Sequence, residues 1–277
     1  MQHRLAVIAA GLFTLTAAVT PAESGAQQSL GPVAPSGQTA NPVFEGWYRN
    51  ADSSFSLSFG YFNRNAAEVL SIPLGPDNFM APGDSNQGQP EFFYPRRHWG
   101  VFAVRVPADF GERRVVWTVK FRGKTFAIPG SLHRDWQIDA LEGEAGSGNT
   151  PPGVTLDAGG PEARGPGGLT SAPRMATVGQ PITIAVVAKD DGKRAGTARS
   201  GAPVVLDWFT HQGPGQVLFG TASSRLTPTG GQASTTATFS RPGNYLVRLR
   251  ATDSPLAVAG HSQCCWTNAF VHVRVTP

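Results

Sequence analysis

The sequence carries little charge for its length and only two cysteines. Charged residues make up 15% of its 277 positions, against about 25% in an average protein. The formal net charge of +4 is scattered along the chain, whereas nucleic-acid binders concentrate basic residues in one stripe. We therefore predict no nucleic-acid partner. The small positive excess is a mild bias towards anionic surfaces, such as membrane head groups or acidic glycans, and allows peripheral membrane association.

Motifs of metal and cofactor sites are missing as well. The histidines form no His-x-His pair and no His-Glu-x-x-His pair, which are spacings typical of zinc sites. His261 with Cys264 and Cys265 offers a copper or zinc alternative. Because adjacent cysteines cannot easily ligate one ion and no fourth ligand is evident, we predict no metal and no cofactor.

Long hydrophobic runs are confined to the start of the chain. Residues 5–19 form an apolar run after the basic pair His3 and Arg4, and small residues follow at 24–26. This pattern predicts a secretory signal peptide over residues 1–26, cleaved after Ala26. The alternatives are cleavage near residues 20–22 and an uncleaved anchor, although the run is shorter than the roughly 20 residues that span a bilayer. We expect a periplasmic or extracellular protein with no transmembrane segment in the mature chain.

Glycine and proline, by contrast, are abundant. The 33 glycines and 23 prolines predict frequent turns and few long helices. Between the turns apolar and polar residues alternate, as in Phe55-Ser56-Leu57-Ser58-Phe59, and a period of two indicates half-buried strands. The sequence thus predicts an all-β protein of two β-sandwich domains, at residues 42–141 and 172–277. A flexible leader (27–41) precedes them, and a Gly/Pro-rich linker (142–171) with too few large side chains for a core joins them.

The second domain has the strand pattern of an immunoglobulin-like sandwich, with seven predicted strands. The clearest strand follows the Pro242-Gly243 turn, and every second residue from Tyr245 to Ala251 is apolar. A tyrosine in this place suits a tyrosine corner. Trp208 lies on the third predicted strand, where such sandwiches bury a tryptophan. We therefore predict that Trp208 and Tyr245 are core residues.

The same stretch resembles the PKD-like domain family. The resemblance covers residues 178–275 and rests on a Trp followed by a Gly-Pro-Gly turn (208–215), a Thr-rich strand (234–239), a Gly-x-Tyr strand (243–245) and a Val-rich last strand. It implies a binding or spacer module of secreted proteins without catalytic activity. A long basic loop at 190–201 and the segment Cys264-Cys265-Trp266 depart from the family pattern. The first domain shows no such resemblance.

The two cysteines are adjacent in the sequence. An exported chain meets an oxidising compartment, and within one chain Cys264 has no partner other than Cys265. We therefore predict a disulfide between them. Its ring is expected to be strained, because adjacent Cα atoms lie about 3.8 Å apart across a trans peptide and disulfides usually span about 4.4–6.8 Å. An intermolecular bridge and two free thiols are the alternatives.

Two groups of residues are candidates for contact with a ligand or partner. One lies at the end of a long loop (81–95) and mixes aromatic with basic side chains, a combination with which β-sandwiches bind sugars or anions. The other falls on the outward face of the third, sixth and seventh strands of the second domain. The first group comprises Phe92, Phe93, Tyr94, Arg96, Arg97, His98 and Trp99, and the second Phe209, Arg248, Arg250, His272 and Arg274. For the loop group the alternative is packing against its own domain. For the sheet face the alternatives are solvated charge and docking of one domain on the other.

No motif predicts catalysis. Gly83-Asp84-Ser85 is similar to the nucleophile block of one class of esterases, but the downstream Asp-x-x-His of those α/β enzymes is missing. The sequence therefore predicts a secreted non-enzymatic binding or scaffold protein, for example an extrinsic subunit of an envelope complex. A pair of carbohydrate-binding modules is the first alternative and a secreted hydrolase the second. The expected partner is a protein or a glycan at the cell envelope.

Overall fold

A computed structural model describes residues 33–142, 148–157, 159–193, 203–253, 258–259 and 262–277. The predicted signal peptide and residues 27–32 of the predicted leader lie outside these ranges. The described chain is all β apart from one turn of 3-10 helix, so the predicted fold class is confirmed. No helix in these ranges is long and apolar enough to cross a membrane.

The first sandwich encloses an aromatic core between two three-stranded sheets. Its strands are β1 (Ala40–Arg49), β2 (Phe55–Asn63), β3 (Leu70–Ser71), β4 (Asn78–Ala81), β5 (Phe92–Phe93), β6 (Arg96–Val106), β7 (Val115–Phe121) and β8 (Lys124–Gly130). The sheet orders are β1-β2-β6 and β4-β7-β8, with β3 paired to β5 beside them. Alternation along β2 turns Leu57 and Phe59 inwards. The Phe59 ring packs edge-on against Trp117, which is fully buried on β7.

The second sandwich is immunoglobulin-like, and each of its seven predicted strands is present. Its strands are β9 (Gly153–Thr155), β10 (Leu169–Thr170), β11 (Arg174–Thr177), β12 (Ile182–Lys189), β13 (Val205–Gln212), β14 (Val217–Phe219), β15 (Ser223–Arg225), β16 (Gly230–Phe239), β17 (Gly243–Thr252), β18 (Val258–Ala259), β19 (Ser262–Gln263) and β20 (Trp266–Thr276). One sheet has the order β14-β16-β12-β9 and the other β10-β20-β17-β13-β15, with β11 also paired to β20. Trp208 and Tyr245 are buried between them, as predicted. The Tyr245 hydroxyl donates to the Arg241 carbonyl, 3.0 Å away, which makes a tyrosine corner.

Part of the segment predicted as a mobile linker is folded. Strands β9 and β10 belong to it, and each joins a sheet of the second sandwich. Val154 and Leu156 lie in the core of that sandwich. The prediction of mobility was wrong here because a strand of two or three residues needs only one apolar side chain to add to an existing core. The boundaries of separately folding domains stay a prediction.

The two sandwiches share buried surface. Phe270 on β20 packs into the core of the first sandwich, and the half-buried Leu246 packs beside it. The amide of Asn268 donates to the Gly100 carbonyl of β6 at 2.7 Å. Gly100 has φ +43°, and a side chain there would collide with the Trp266 ring. A glycine is therefore required where β6 meets Trp266 of the second sandwich.

Candidate binding site

Two of the aromatic residues predicted to contact a ligand lie inside the protein. Phe92 is 5% exposed and Phe93 is fully buried. The Phe93 ring stacks on Trp117, with ring centroids 6.1 Å apart. The two phenylalanines form β5, a strand too short for alternation to reveal, so the sequence could not identify them as interior. The expectation that they face a ligand is corrected, because they present almost no surface.

The basic residues that follow them lie nearer the surface. The Arg97 guanidinium lies 3.7 Å from the Trp99 ring centroid and pairs with the Glu45 carboxylate at 2.7 Å. Burial raises the pKa of Glu45 to about 7, although Arg97 opposes this shift. Arg96 is exposed, with its guanidinium 5.0 Å from the Phe62 ring centroid. A contact role for the exposed parts of this segment stays a prediction.

Five residues of the two predicted groups meet between the sandwiches, in what we call the interdomain cluster. It consists of Tyr94, His98, Phe209, Arg248 and Arg250. The Phe209 ring lies at its centre, with the Tyr94 and His98 rings edge-on at 5.1 and 5.7 Å. The guanidinium carbons of Arg248 and Arg250 lie 4.5 and 5.6 Å from the same ring centroid. The outward sheet face thus docks on the first sandwich at this point.

The other two residues of that sheet face lie apart from the cluster. His272 is half-buried and Arg274 is exposed farther along β20. The backbone N–H of His272 donates to the Ser171 hydroxyl at 3.2 Å. A role in partner contact stays a prediction for both residues.

Burial sets the charge states between the sandwiches. It lowers the pKa of His98 to about 3, with Arg248 and Arg250 acting in the same direction. It likewise lowers the pKa of His211 to about 3. The pKa of Arg248 is lowered to about 10, again by burial. At neutral pH both histidines are therefore neutral and Arg248 is cationic.

The long loop at residues 81–95 bridges the two sandwiches. The Glu91 carboxylate accepts the N–H groups of Leu74 and Gly213, each at 2.7 Å. The Glu91 N–H donates to the His211 carbonyl at 2.8 Å, and the His211 ring donates to the Gly88 carbonyl at 2.7 Å. The sequence marked the loop as functional by its length but did not single out Glu91 or His211, because more than a hundred residues separate them.

The predicted disulfide between Cys264 and Cys265 is confirmed. The peptide bond between them is cis, not trans as assumed, and the Cα atoms are 3.2 Å apart. Both sulfur atoms are buried, within 3.9 Å of the Asn149 carbonyl oxygen. His261 lies outside the described residues. Within the described ranges no group of three or more His, Cys, Asp and Glu side chains could hold a metal ion.

A buried carboxyl group close to this disulfide should make stability depend on pH. Asp253 is 2% exposed. Burial raises its pKa to about 7 from 3.8, with Asp190 adding to the rise. The folded state therefore favours the protonated carboxyl, and the stability that this group contributes is present below about pH 4 and lost as pH rises through about 7. We expect Asp253→Asn to raise the free energy of unfolding at about pH 8 by about 2 kcal/mol and to change it little near pH 4.

Urea unfolding at several pH values measures this difference. Asp84→Asn, on an exposed loop, is the matched control. It should leave the free energy of unfolding unchanged both at about pH 8 and near pH 4. Glu45 adds a pH slope of the same sign in every variant, so the comparison is between variants at one pH. Equal free energies of unfolding for Asp253→Asn and the wild type at about pH 8 would show that burial does not raise the pKa of this carboxyl group.

A groove of about 660 Å³ opens on the first sandwich, where β1, β8 and the 3-10 helix (Arg134–Trp136) meet. The Trp136 side chain forms one wall and is 49% exposed. Its ring also contacts Phe44, with centroids 5.6 Å apart. The groove is lined by Pro42, Val43, Phe44, Arg114, Ile128, Pro129, Ser131, His133, Asp135 and Trp136.

Local contacts hold the 3-10 helix against β1. The indole N–H of Trp47 donates to the His133 carbonyl at 2.8 Å, and the N–H of Ile138 donates to the Trp47 carbonyl at 2.9 Å. Gly46 has φ +133°, and a side chain there would collide with the Trp136 carbonyl and with Ile138. None of the helix residues is buried. The helix therefore adds little to the core and displays Trp136 at the groove.

The groove combines an apolar floor with a polar rim. Phe44 and Ile128 contribute apolar surface, and His133 and Asp135 lie at the rim with Nδ1 and Oδ2 3.7 Å apart. An aromatic face beside a few polar groups can stack on a ligand ring and hydrogen-bond its substituents. Trp136 could not be identified from the sequence, because a single helical turn has no periodicity. The one available signal was an aromatic residue in a polar stretch, Asp135-Trp136-Gln137.

No protein-family model matches the chain, and no curated protein matches it in sequence. Among solved structures, the D00–D0 domain of intimin is 12% identical, with 86% of this chain and 100% of that chain covered and a TM-score of 0.27. Domains 4 and 5 of the S-layer protein SbsC are 11% identical, with 60% and 66% covered and a TM-score of 0.26. A C. elegans MSP family member, WR4, is 7% identical, with 37% and 92% covered and a TM-score of 0.24. At these values the likenesses carry no argument about function.

Proposed function

We propose that this chain is a secreted, non-enzymatic binding protein that recognises a carbohydrate at the cell envelope through the Trp136 groove. The observation that carries the proposal is a half-exposed tryptophan on a helical turn that contributes no buried residue. Large aromatic side chains are normally buried for stability, so a role in binding explains the exposure. In this proposal the second sandwich is a PKD-like spacer that supports the first.

The chemistry of the groove favours a sugar over other small ligands. A pyranose presents a face of C–H groups, which stacks on an indole ring, and hydroxyl groups around its edge. The rim offers donors and acceptors for those hydroxyls in Arg114, Ser131 and Asp135. Charges of both signs line the rim, so the groove has no strong preference for an anion or a cation. These features fit a neutral or zwitterionic glycan.

Replacement of Trp136 by alanine should abolish glycan binding without unfolding the protein. A glycan array identifies the ligand, and titration calorimetry then compares the variants. We expect at least a tenfold loss of affinity for Trp136→Ala and partial retention for Trp136→Phe, because stacking contributes about 1–3 kcal/mol. Leu218→Ala is the control, since Leu218 is a 73% exposed apolar residue on the other sandwich. A glycan that binds Trp136→Ala as tightly as the wild type would contradict the assignment of the site.

A scaffold role in an envelope complex is the second candidate. It is favoured by the edge strand β14, on which Leu218 is 73% exposed, because the edge of a sheet can pair with a partner protein. A pull-down of the exported protein from its host tests this role. A partner that is lost in Leu218→Ala and kept in Trp136→Ala, together with an array that shows no glycan, would favour the scaffold over the carbohydrate-binding function.

A further inference from the structure

Arg248 is a buried cation without an anionic partner in the described part of the chain. The residue is 1% exposed. Its Nη1 atom donates to Asn268 Oδ1 at 3.3 Å, and its Nε atom has no hydrogen-bond partner within the described ranges. The nearby carboxylate of Asp207 pairs with Arg250 at 2.7 Å. Burying an unpaired charge costs several kcal/mol, and a guanidinium stays protonated in proteins. An anion beside Arg248 would therefore offset the free-energy cost of burying its charge.

Further hydrogen-bond donors lie near this guanidinium. The Arg250 Nε atom is also buried and has no hydrogen-bond partner among the described residues. The hydroxyl of Tyr61 accepts the N–H of Tyr94 at 2.8 Å, and the hydroxyl of Tyr94 accepts the N–H of Thr210 at 2.9 Å. Each phenol then still has its own O–H to donate. The Tyr94 ring packs edge-on against Phe209, which Arg248 also contacts, and the Tyr61 ring stacks on His98 with centroids 5.0 Å apart. Both tyrosines therefore belong to the surroundings of the cluster.

His98 supplies no negative charge to balance the Arg248 cation. Its Nε2 atom lies 3.2 Å from the Pro95 carbonyl, and because a carbonyl only accepts, Nε2 carries the proton. The Nδ1 atom has no hydrogen-bond partner in the part of the chain that the structure describes, and it can accept one hydrogen bond. The Phe209 ring face, 4.5 Å from Arg248, stabilises a cation but does not neutralise it. The two guanidinium groups of the cluster and the Asp207 carboxylate paired with Arg250 leave a net charge of about +1.

We propose that a small inorganic anion of the halide class binds in the interdomain cluster, held by Arg248 and Arg250 with the hydroxyl groups of Tyr61 and Tyr94. The anion makes the cluster neutral and accepts the donors that the chain leaves unpaired. The tyrosines come from the first sandwich and the arginines from the second, so the anion bridges the two. Anything that binds the folded state alone stabilises it, and the anion therefore strengthens the docking of the sandwiches.

Thermal unfolding of the full chain in different sodium salts tests the proposal. At constant ionic strength, replacing gluconate by chloride or bromide should raise the Tm by several degrees and then saturate, because gluconate is a far larger anion than the halides that the proposal places in the cluster. Arg248→Met keeps the apolar stem, removes the charge and should abolish the dependence on the anion. Arg274→Met, an exposed arginine on the same sheet face, is the matched control and should keep the dependence.

Crystallography gives a second measurement that does not depend on the folding of a variant. Crystals grown in bromide should show an anomalous peak within hydrogen-bond distance of Arg248 Nε, and this peak should be absent from crystals grown in gluconate. A wild-type Tm that is equal in gluconate and in halide salts would overturn the proposal. Bromide crystals with a water molecule and no anomalous peak at this position would overturn it as well. Water and the Phe209 ring would then stabilise the Arg248 cation without an anion.

Discussion

Replacing Phe270 by alanine is expected to uncouple the unfolding of the two sandwiches. Phe270 belongs to β20 of the second sandwich, yet it is buried in the core of the first, and the His211 ring lies edge-on at 5.1 Å. Truncation of a buried phenylalanine costs about 3–5 kcal/mol. Here the lost contacts are those that join the two sandwiches. The substitution therefore lowers the interaction free energy between the sandwiches.

Differential scanning calorimetry measures this coupling. We expect one cooperative transition for the wild type and two separated transitions for Phe270→Ala. The matched control is Phe239→Ala, because Phe239 is fully buried within the core of the second sandwich alone. That variant should lower the Tm of a single transition without splitting it. Two transitions in the wild type would instead support independent folding, as the composition of residues 142–171 suggests.

Much of the fold could be predicted from residues that act locally. Alternation along a strand depends only on which side chains are apolar, and it located β2, β7, β13 and β17. The tyrosine corner depends on Tyr245 and on a carbonyl four residues before it. The disulfide of Cys264 and Cys265 needed no structural knowledge beyond the count of cysteines.

Docking of the other domain was one interpretation of the outward sheet face, but the residues that it meets on the first sandwich could not be predicted, because they are distant in the sequence. The alternation on β17 correctly placed Arg248 on the outward side of the sheet. Whether that side meets solvent or another domain depends on residues such as Gly100 and Glu91, which no pattern marks. The short strands β5 and β9 were missed for a related reason. A strand of two or three residues has no period, and its burial is decided by the sheet that receives it.

The candidate groove could not be predicted from sequence patterns either. Its walls come from β1, β8 and the turn at Trp136, which approach each other because Gly46 leaves room for the chain. Mixed aromatic and basic residues led the sequence analysis to the segment at 92–99 instead. In the structure that segment supplies core packing and the interdomain cluster, and the exposed tryptophan lies elsewhere.

Replacing Trp117 by alanine should have a similarly large effect on stability. Trp117 is fully buried at the centre of the first sandwich, where its ring contacts Phe59, Phe93 and Phe102. Loss of a buried tryptophan costs about 3–5 kcal/mol, a large part of the stability of a typical domain. Urea unfolding should show this loss as a lower midpoint, and a midpoint within error of the wild type would contradict the assignment of the core.

Phenylalanine substitutions separate packing from hydrogen bonding at the same position. The indole N–H of Trp117 donates to the buried Asn78 side chain at 2.9 Å, so Trp117→Phe leaves that oxygen unpaired at a cost of about 1–3 kcal/mol. Trp208 is the matched control, because it is also buried but its indole N–H finds no hydrogen-bond partner among the described residues. Trp208→Phe removes a buried unpaired donor and should be better tolerated than Trp117→Phe. Equal losses in the two phenylalanine variants would show that the bond to Asn78 contributes nothing beyond packing.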